Sequence, residues 1–520
     1  MRAAGVESPR GARKAAIRHL IALSLLCGLL FFYRLADRDL WNSHEARAAM
    51  DAQTILDDGC WGLPHLYDGR PELQKPPLYY WLVALIAWGN GGVVDAWAVR
   101  LPAALAGLGC VLLLYRFGQR LGRPVAGLAA ALILATAMHF TWLARVGRID
   151  MPLTLTIMLT LTGAYLAGSE QGVGRGWLLL AYLAVAVGLL LKGPIAAVLP
   201  GATLGVHLLC TSRDRKRAAE QIAPLRSRLV RAGSHFGIWW GVPLVLLLAG
   251  PWYLWVYRHT GGEFFRVFFW HHNVERGLGG SALRAHPWWF YGPQFLFDFL
   301  PWSPLLILAG IGWWKCRGWR PDPEARFGLV WLLTMLVLLS CFRFKRADYL
   351  LPAYPGAALF LGCIAERSLR EAKYPRLAAG LGGAVVGAAA VGWLVHVTWG
   401  LPRLEPTREY RRFAEAIRAH APPPAPVLFF RTESHALAFH VGRPVHEMIW
   451  WDELDAWASR PGVHYVVMPA AVARERSRFL RSCELEEVVG NQELAGGRHE
   501  KPLLLLRSRP LTAEGALPYR

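Results

Sequence analysis

The chain has 520 residues, is 54% hydrophobic but only 18% charged, and carries a formal net charge of +20. A soluble domain has about 25% charged residues, so this composition excludes a disordered chain and argues against an ordinary water-soluble enzyme. The charge by itself would suggest nucleic acid, but nucleic-acid binders do not carry repeated apolar runs of membrane length, and no nucleic-acid partner is expected.

A helix that crosses a bilayer needs about 20 mostly apolar residues. Eleven such segments are predicted, at 19–36, 99–115, 124–142, 151–168, 177–191, 194–210, 236–257, 291–313, 327–342, 350–365 and 377–399. Met1–Arg18 is basic, and no small-x-small cleavage site follows it, so the first apolar run is read as an uncleaved span. Leu78–Trp88 is apolar but too short to span and is expected to lie in the interface.

The positive-inside rule orients this set. With the N-terminus in the cytoplasm, the inside segments are 1–18, 116–123, 169–176, 211–235, 314–326 and 366–376. They hold 24 Lys and Arg against 8 Asp and Glu, a net of +16. The opposite orientation would place Arg213, Arg215, Lys216, Arg217, Arg226, Arg228 and Arg231 outside, which the rule disfavours. An odd number of spans leaves the C-terminus outside, as expected for a multi-pass protein of the plasma (inner) membrane.

After Gly400 the composition changes, with 17 Lys and Arg against 15 Asp and Glu over 401–520. Val427–Phe430, His464–Val467 and Leu503–Leu506 read as strands, Thr407–His420 and Ala471–Cys483 as helices. The expected fold class is an all-α polytopic membrane protein of about 11–13 transmembrane helices, with a small C-terminal α/β extracytoplasmic domain. The membrane domain is expected over 1–400, with long outward loops at 37–98 and 258–290, and the soluble domain over 401–520. Only Cys60 and Cys483 would face an oxidising compartment; a bridge between them is one open reading.

Topology sorts the polar residues by side. The first outward loop contains His44, Glu45, Arg47 and Lys75-Pro76-Pro77-Leu78; the second Arg145, Arg148 and Asp150; the third Lys192-Gly193-Pro194. The fourth contains Phe264-Phe265-Arg266, His271-His272-Asn273, Glu275 and Arg276, and the fifth Lys345-Arg346-Ala347-Asp348-Tyr349. Ionisable residues at membrane boundaries are costly unless solvated or paired. Two candidate bases and several fixed cations at one outer level suit transfer chemistry on a phosphate-linked lipid. A carboxylate can deprotonate an acceptor hydroxyl, and Lys or Arg can neutralise a phosphate leaving group. Simpler readings stand beside this one. Asp150 could answer a helix N-terminal dipole, Lys192-Gly193-Pro194 could be an interhelical turn, Lys75 could mark a turn, and Lys345 and Arg346 could be interfacial anchors. His271, His272 and Glu275 lack an established metal spacing; no cofactor is predicted, no nucleotide is required, and a divalent cation stays open.

The order of these motifs resembles the polyprenyl-phosphate-sugar-dependent membrane glycosyltransferases of the protein O-mannosyltransferase and ArnT-like group, over roughly residues 30–365. The resemblance implies a GT-C architecture and an inverting transfer of a sugar from undecaprenyl or dolichyl phosphate. The acceptor would be an outward-facing lipid, such as lipid A, a glycan or a protein hydroxyl. Carried over, Glu45 matches the Glu of the family's Asp-Glu pair, Arg47 the following Arg, and Asp150 the acidic residue of the second outward loop. Lys75 matches the lysine near the donor phosphate, and Lys345 and Tyr349 the late Lys-x-x-x-Tyr-x-Leu-Pro motif. This sequence has His44-Glu45 where the family has Asp-Glu; His44 is no permanent anion but could act as a base. Asp150, Glu45 and His44 are the catalytic candidates. Lys75, Arg47, Arg148, Lys345 and Tyr349 are the donor-phosphate candidates, and Lys192, Arg266, His272, Asn273 and Arg276 are further substrate-binding candidates. The alternative is a transporter or flippase of lipid-linked sugars. Transporters place charges near the midplane within repeats, whereas these cluster at one face.

Overall fold

The computed structural model describes residues 9–168, 174–216, 236–275, 286–315, 322–432, 434–497 and 499–510. By length and composition, eight of its helices can cross a membrane. They are Arg10–Phe32, Ala96–Arg120, Asp150–Gly168, Gly174–Lys192, Ile238–His259, Pro323–Ser340, Ala347–Glu371 and Pro375–His420. The pair Trp288–Asp298 and Ser303–Gly312, bent by 114°, makes a ninth if counted as one span. The chain is a multi-pass membrane protein. The predicted segment 78–88 is the 12-residue helix Leu78–Gly89, and the predicted span 194–210 lies in the shorter apolar helix Ile195–Thr211.

The chain folds as two compact units. The first comprises Met1–Tyr33, Leu73–Tyr79 and Arg100–Leu394. Its helices meet through small residues, which suit membrane packing because they let backbones approach. A Cβ built on Gly118 would lie 2.4 Å from the Cα of Gly127, so the helices carrying these two residues require glycine there.

Two predicted spans differ from continuous helices. The segment 124–142 is helical over Pro124–Thr136, extended at Ala137, and helical again over Met138–Leu143. The segment 291–313 bends between Asp298 and Ser303. Backbone groups freed at membrane depth need partners, and the two breaks supply them to each other. Met138 N–H donates to the Leu300 carbonyl at 2.9 Å, and the Trp302 indole donates to Thr136 Oγ1 at 3.0 Å. Thr141 Oγ1 lies 2.9 Å from the carbonyls of both Ala135 and Ala137.

The second unit comprises Arg34–Glu72, Tyr80–Val99 and Val395–Arg520. It holds a five-stranded mixed sheet: β1 Val427–Phe430, β2 Val445–Met448, β3 Tyr465–Pro469, β4 Cys483–Gly490 and β5 Leu503–Pro510, in the order β2-β1-β3-β5-β4. β1 runs parallel to β2 and β3, and β5 runs antiparallel to β3 and β4. The three predicted strands are β1, β3 and β5. β2 carries the polar pair His446-Glu447 and β4 carries Glu484, Glu486 and Glu487, which hid them. The helix predicted at 471–483 is a single turn, Ala470–Ala473, followed by a 3-10 turn. The Arg476 guanidinium ends it by bonding the carbonyls of Ala473 and Leu485. The core packs Leu428, Phe430, Trp451, Leu454, Val466, Met468 and Leu506. Cys60 and Cys483 are free thiols, not bridged.

Candidate functional site

Three element ends of the first unit bring opposite charges together. Asp150 begins the helix Asp150–Gly168, and Lys192 ends the helix Gly174–Lys192. Gly193 follows with φ +78°, and a Cβ there would fall 2.4 Å from the Phe268 ring, so the turn after Lys192 needs glycine. The Lys192 ammonium donates to Asp150 Oδ1 at 2.5 Å and lies 4.6 Å from the centre of the Tyr349 ring. Arg148 Nε donates to Asp150 Oδ2 at 3.1 Å, while its Nη1 bonds Asp348 Oδ2. Asp348 and Tyr349 sit in the 3-10 turn Ala347–Ala353.

Asp150 and Arg148 are buried, at 4% and 7% exposure, so these charges are held by one another rather than by water. Burial alone would discourage the guanidinium's charge, but Asp150 and Asp348 outweigh it and keep Arg148 protonated. Both carboxylate oxygens of Asp150 are taken by cations. The group is therefore built to hold Arg148 and Lys192 in place.

The same cluster continues through residues that sequence reading did not select. Asp348 Oδ1 lies 3.4 Å from His139 Nε2, and Asp298 Oδ2 lies 3.2 Å from His139 Nδ1. The Tyr354 hydroxyl is 3.0 Å from the same Nδ1, and Arg346 Nη2 donates to Asp348 Oδ2 at 3.3 Å. His139 follows the break at Ala137, and Asp298 ends the helix before the bend. No local motif marks either residue.

Of the donor-phosphate candidates, the structure gathers Arg148 and Tyr349 with Asp150 and Lys192. Lys75 lies half-buried in Leu73–Tyr79, part of this first unit. Lys345 is buried and donates to the His286 carbonyl at 3.2 Å and to that of Phe342. Arg266 is exposed and pairs loosely with Glu263 at 3.6 Å. Arg276 lies outside the described residues, as do the side-chain placements of His272 and Asn273. His271 Nδ1 pairs with Glu275. Among the described residues, no group of three or more His, Cys, Asp and Glu could hold a metal ion.

The second unit carries Glu45 and Arg47 on the helix Ser43–Asp58, which Asn42 caps by accepting from His44 N–H at 2.9 Å. Glu45 is fully buried in a two-point pair with Arg38, at 3.0 and 3.2 Å. Arg47 Nε donates to the buried Glu72 at 2.5 Å. Burial opposes the Arg47 charge, but Glu72, Tyr80 and Asp51 hold it protonated. Arg38 and Glu72 are partners that the motif reading missed.

Residues 74–232 match the family described as dolichyl-phosphate-mannose-protein mannosyltransferase. Over 382 residues the chain is 31% identical to an undecaprenyl phosphate-alpha-4-amino-4-deoxy-L-arabinose arabinosyl transferase of Pseudomonas paraeruginosa, covering 72% of this chain and 65% of that protein. This chain thus spans just under two thirds of that relative's length. The fold is similar to the crystal structure of ArnT from Cupriavidus metallidurans in the apo state, with a TM-score of 0.75 at 19% identity over 98% of this chain and 100% of that one. Against the same protein bound to undecaprenyl phosphate the TM-score is 0.73, again at 19% identity, over 96% and 99%. The chain is thus similar in sequence to named arabinosyl transferases and in fold to ArnT.

Proposed function

We propose that this protein transfers a sugar from a polyprenyl phosphate, undecaprenyl phosphate by similarity to its relatives, to a hydroxyl of an outward-facing acceptor such as lipid A, a glycan or a protein. The observation that carries the proposal is the Lys192–Asp150–Arg148 group with Tyr349 beside it. A buried Arg148 and a half-buried Lys192, both held in place, suit a phosphate leaving group, whose charge grows as the bond to the anomeric carbon breaks. Lys75 adds a third cation from the same unit.

The reaction is an in-line displacement. The acceptor oxygen attacks the anomeric carbon, the acceptor proton passes to a carboxylate, and the polyprenyl phosphate leaves. Asp150 serves by holding Arg148 and Lys192. The protein is proposed to sit in the inner membrane with a cytoplasmic N-terminus and with 401–520 on the outer side. Similarity to named arabinosyl transferases supports this reading over a transporter.

The test is transfer by the purified chain from undecaprenyl-phosphate-linked 4-amino-4-deoxy-L-arabinose to lipid A. Asp150→Asn and Lys75→Ala are each expected to slow transfer on the order of 10²-fold or more. Wild-type rates in both variants would remove these residues from the mechanism.

A further inference from the structure

The cluster around Arg148 buries a histidine that donor chemistry does not require. His139 is flanked on both ring nitrogens by carboxylates, Asp298 at 3.2 Å and Asp348 at 3.4 Å. A neutral imidazole has one N–H and one lone pair, and only the imidazolium donates from both nitrogens. Asp298 and Asp348 are 7% and 16% exposed at the side chain. Three carboxylates, those of Asp150, Asp298 and Asp348, therefore share a poorly solvated region with Arg148 and Lys192. A buried charge without a partner is costly; no Lys or Arg is paired with Asp298 among the described ion pairs, and the imidazolium supplies it with a cation. Arg346 helps at the rim, where its side chain is 34% exposed.

We infer that His139 is a positioning residue for the transfer reaction: as an imidazolium anchored on Asp298, it holds Asp348 so that Arg148 stays aimed between Asp348 and Asp150. This inference rests on the proposed transferase reading. Asp348 divides its oxygens, Oδ1 facing His139 and Oδ2 facing Arg148 and Arg346. When the imidazole loses a proton, a lone pair faces a carboxylate oxygen. Asp348 then loses the cation at Oδ1 and draws harder on Arg148 and Arg346 through Oδ2. The cation that meets the leaving phosphate becomes misaimed, although it remains present. The groups facing His139 are the carboxylates of Asp298 and Asp348 and the hydroxyl of Tyr354, with Arg148 and Arg346 on the far side of Asp348.

The experiment measures transfer and undecaprenyl phosphate binding against pH with the full-length protein and His139→Gln, which keeps one hydrogen bond and cannot be protonated. The wild type is expected to lose kcat on an alkaline limb. His139→Gln is expected to lack that limb and to lower kcat about 10- to 100-fold, the usual cost of losing an orienting partner, with donor KM moving much less. Asp298→Asn removes one of the two anions favouring the imidazolium, so the alkaline limb should shift to lower pH. It also serves as the second variant if His139→Gln does not fold. Unchanged kcat in His139→Gln, or a lower kcat with the wild-type pH profile, overturns the inference. A wild type that binds undecaprenyl phosphate but transfers nothing defeats the transferase reading instead. In that case pH-dependent binding lost in His139→Gln supports the positioning role, and pH-independent binding overturns it.

Discussion

Lys192 holds Asp150 at 2.5 Å and lies over Tyr349, so one side chain ties a helix end, a helix start and a 3-10 turn. Lys192→Ala would leave Asp150 with less cation and remove one charge from the proposed phosphate site. Transfer should fall on the order of 10²- to 10³-fold, as for other lost charge stabilisers. Lys192→Arg should recover part of it, because the charge returns with a different shape. A variant as fast as wild type would make Lys192 an interhelical turn and nothing more. Asp39 makes a prediction of another kind. It is 1% exposed and accepts from His440 at 2.7 Å and from the N–H groups of Leu40 and Tyr410. Burial pushes its pKa up, but the His440 hydrogen bond and charge and the two backbone donors overcome this and hold it at about 2. Its folded pKa is thus below the unfolded value of about 3.9. The stability it contributes is full above about pH 4 and lost as pH falls toward 2, to a total of about 2 kcal/mol. Thermal unfolding of the full chain should show an acid-side loss that Asp39→Asn largely abolishes. Equal slopes in the two proteins would disprove the assignment.

At the scale of elements, the breaks at Ala137 and after Asp298 decide where His139 and Asp298 meet. Continuous helices were predicted because hydropathy reports apolarity and not backbone path. The break at Ala137 survives in an apolar setting because Thr141 and the partner segment satisfy its carbonyls and N–H groups. Thr141→Val keeps the shape and deletes the hydroxyl. It should cost about 1–3 kcal/mol, the usual penalty for stranding buried polar groups. Thr141→Ser should restore most of it. Detergent-solubilised melting curves of the three proteins decide the point, and a Thr141→Val curve lying on wild type would show the hydroxyl to be dispensable. At the other ends of the spans, Arg123 pairs with Asp322 at 2.5 Å, Glu324 at 3.2 Å and Glu366 at 2.7 Å, joining three helix ends by charge.

At the scale of the molecule, charge and apolarity separate along the chain. The net charge of +20 falls mainly in segments proposed to be cytoplasmic, and the positive-inside rule reads it as an orientation signal. An alkaline phosphatase fused after residue 400 or 510 should be active in cells, and a fusion within 212–235 inactive. The reverse pattern would invert the assigned topology. Membrane class, the orientation signal, the three apolar strands and the motif residues Asp150, Arg148, Lys192 and Tyr349 were all legible in the sequence, because hydropathy, charge counts and short spacings are local properties. The partners were not. Arg148 and Asp348 are 200 residues apart, and His139 meets Asp298 only because two helices break where they touch. The sequence by itself determined which residues carry charge to the membrane boundary. The tertiary structure alone decided which of them neutralise one another, since an ion pair depends on separation in space, and folding brings together residues that the chain keeps far apart.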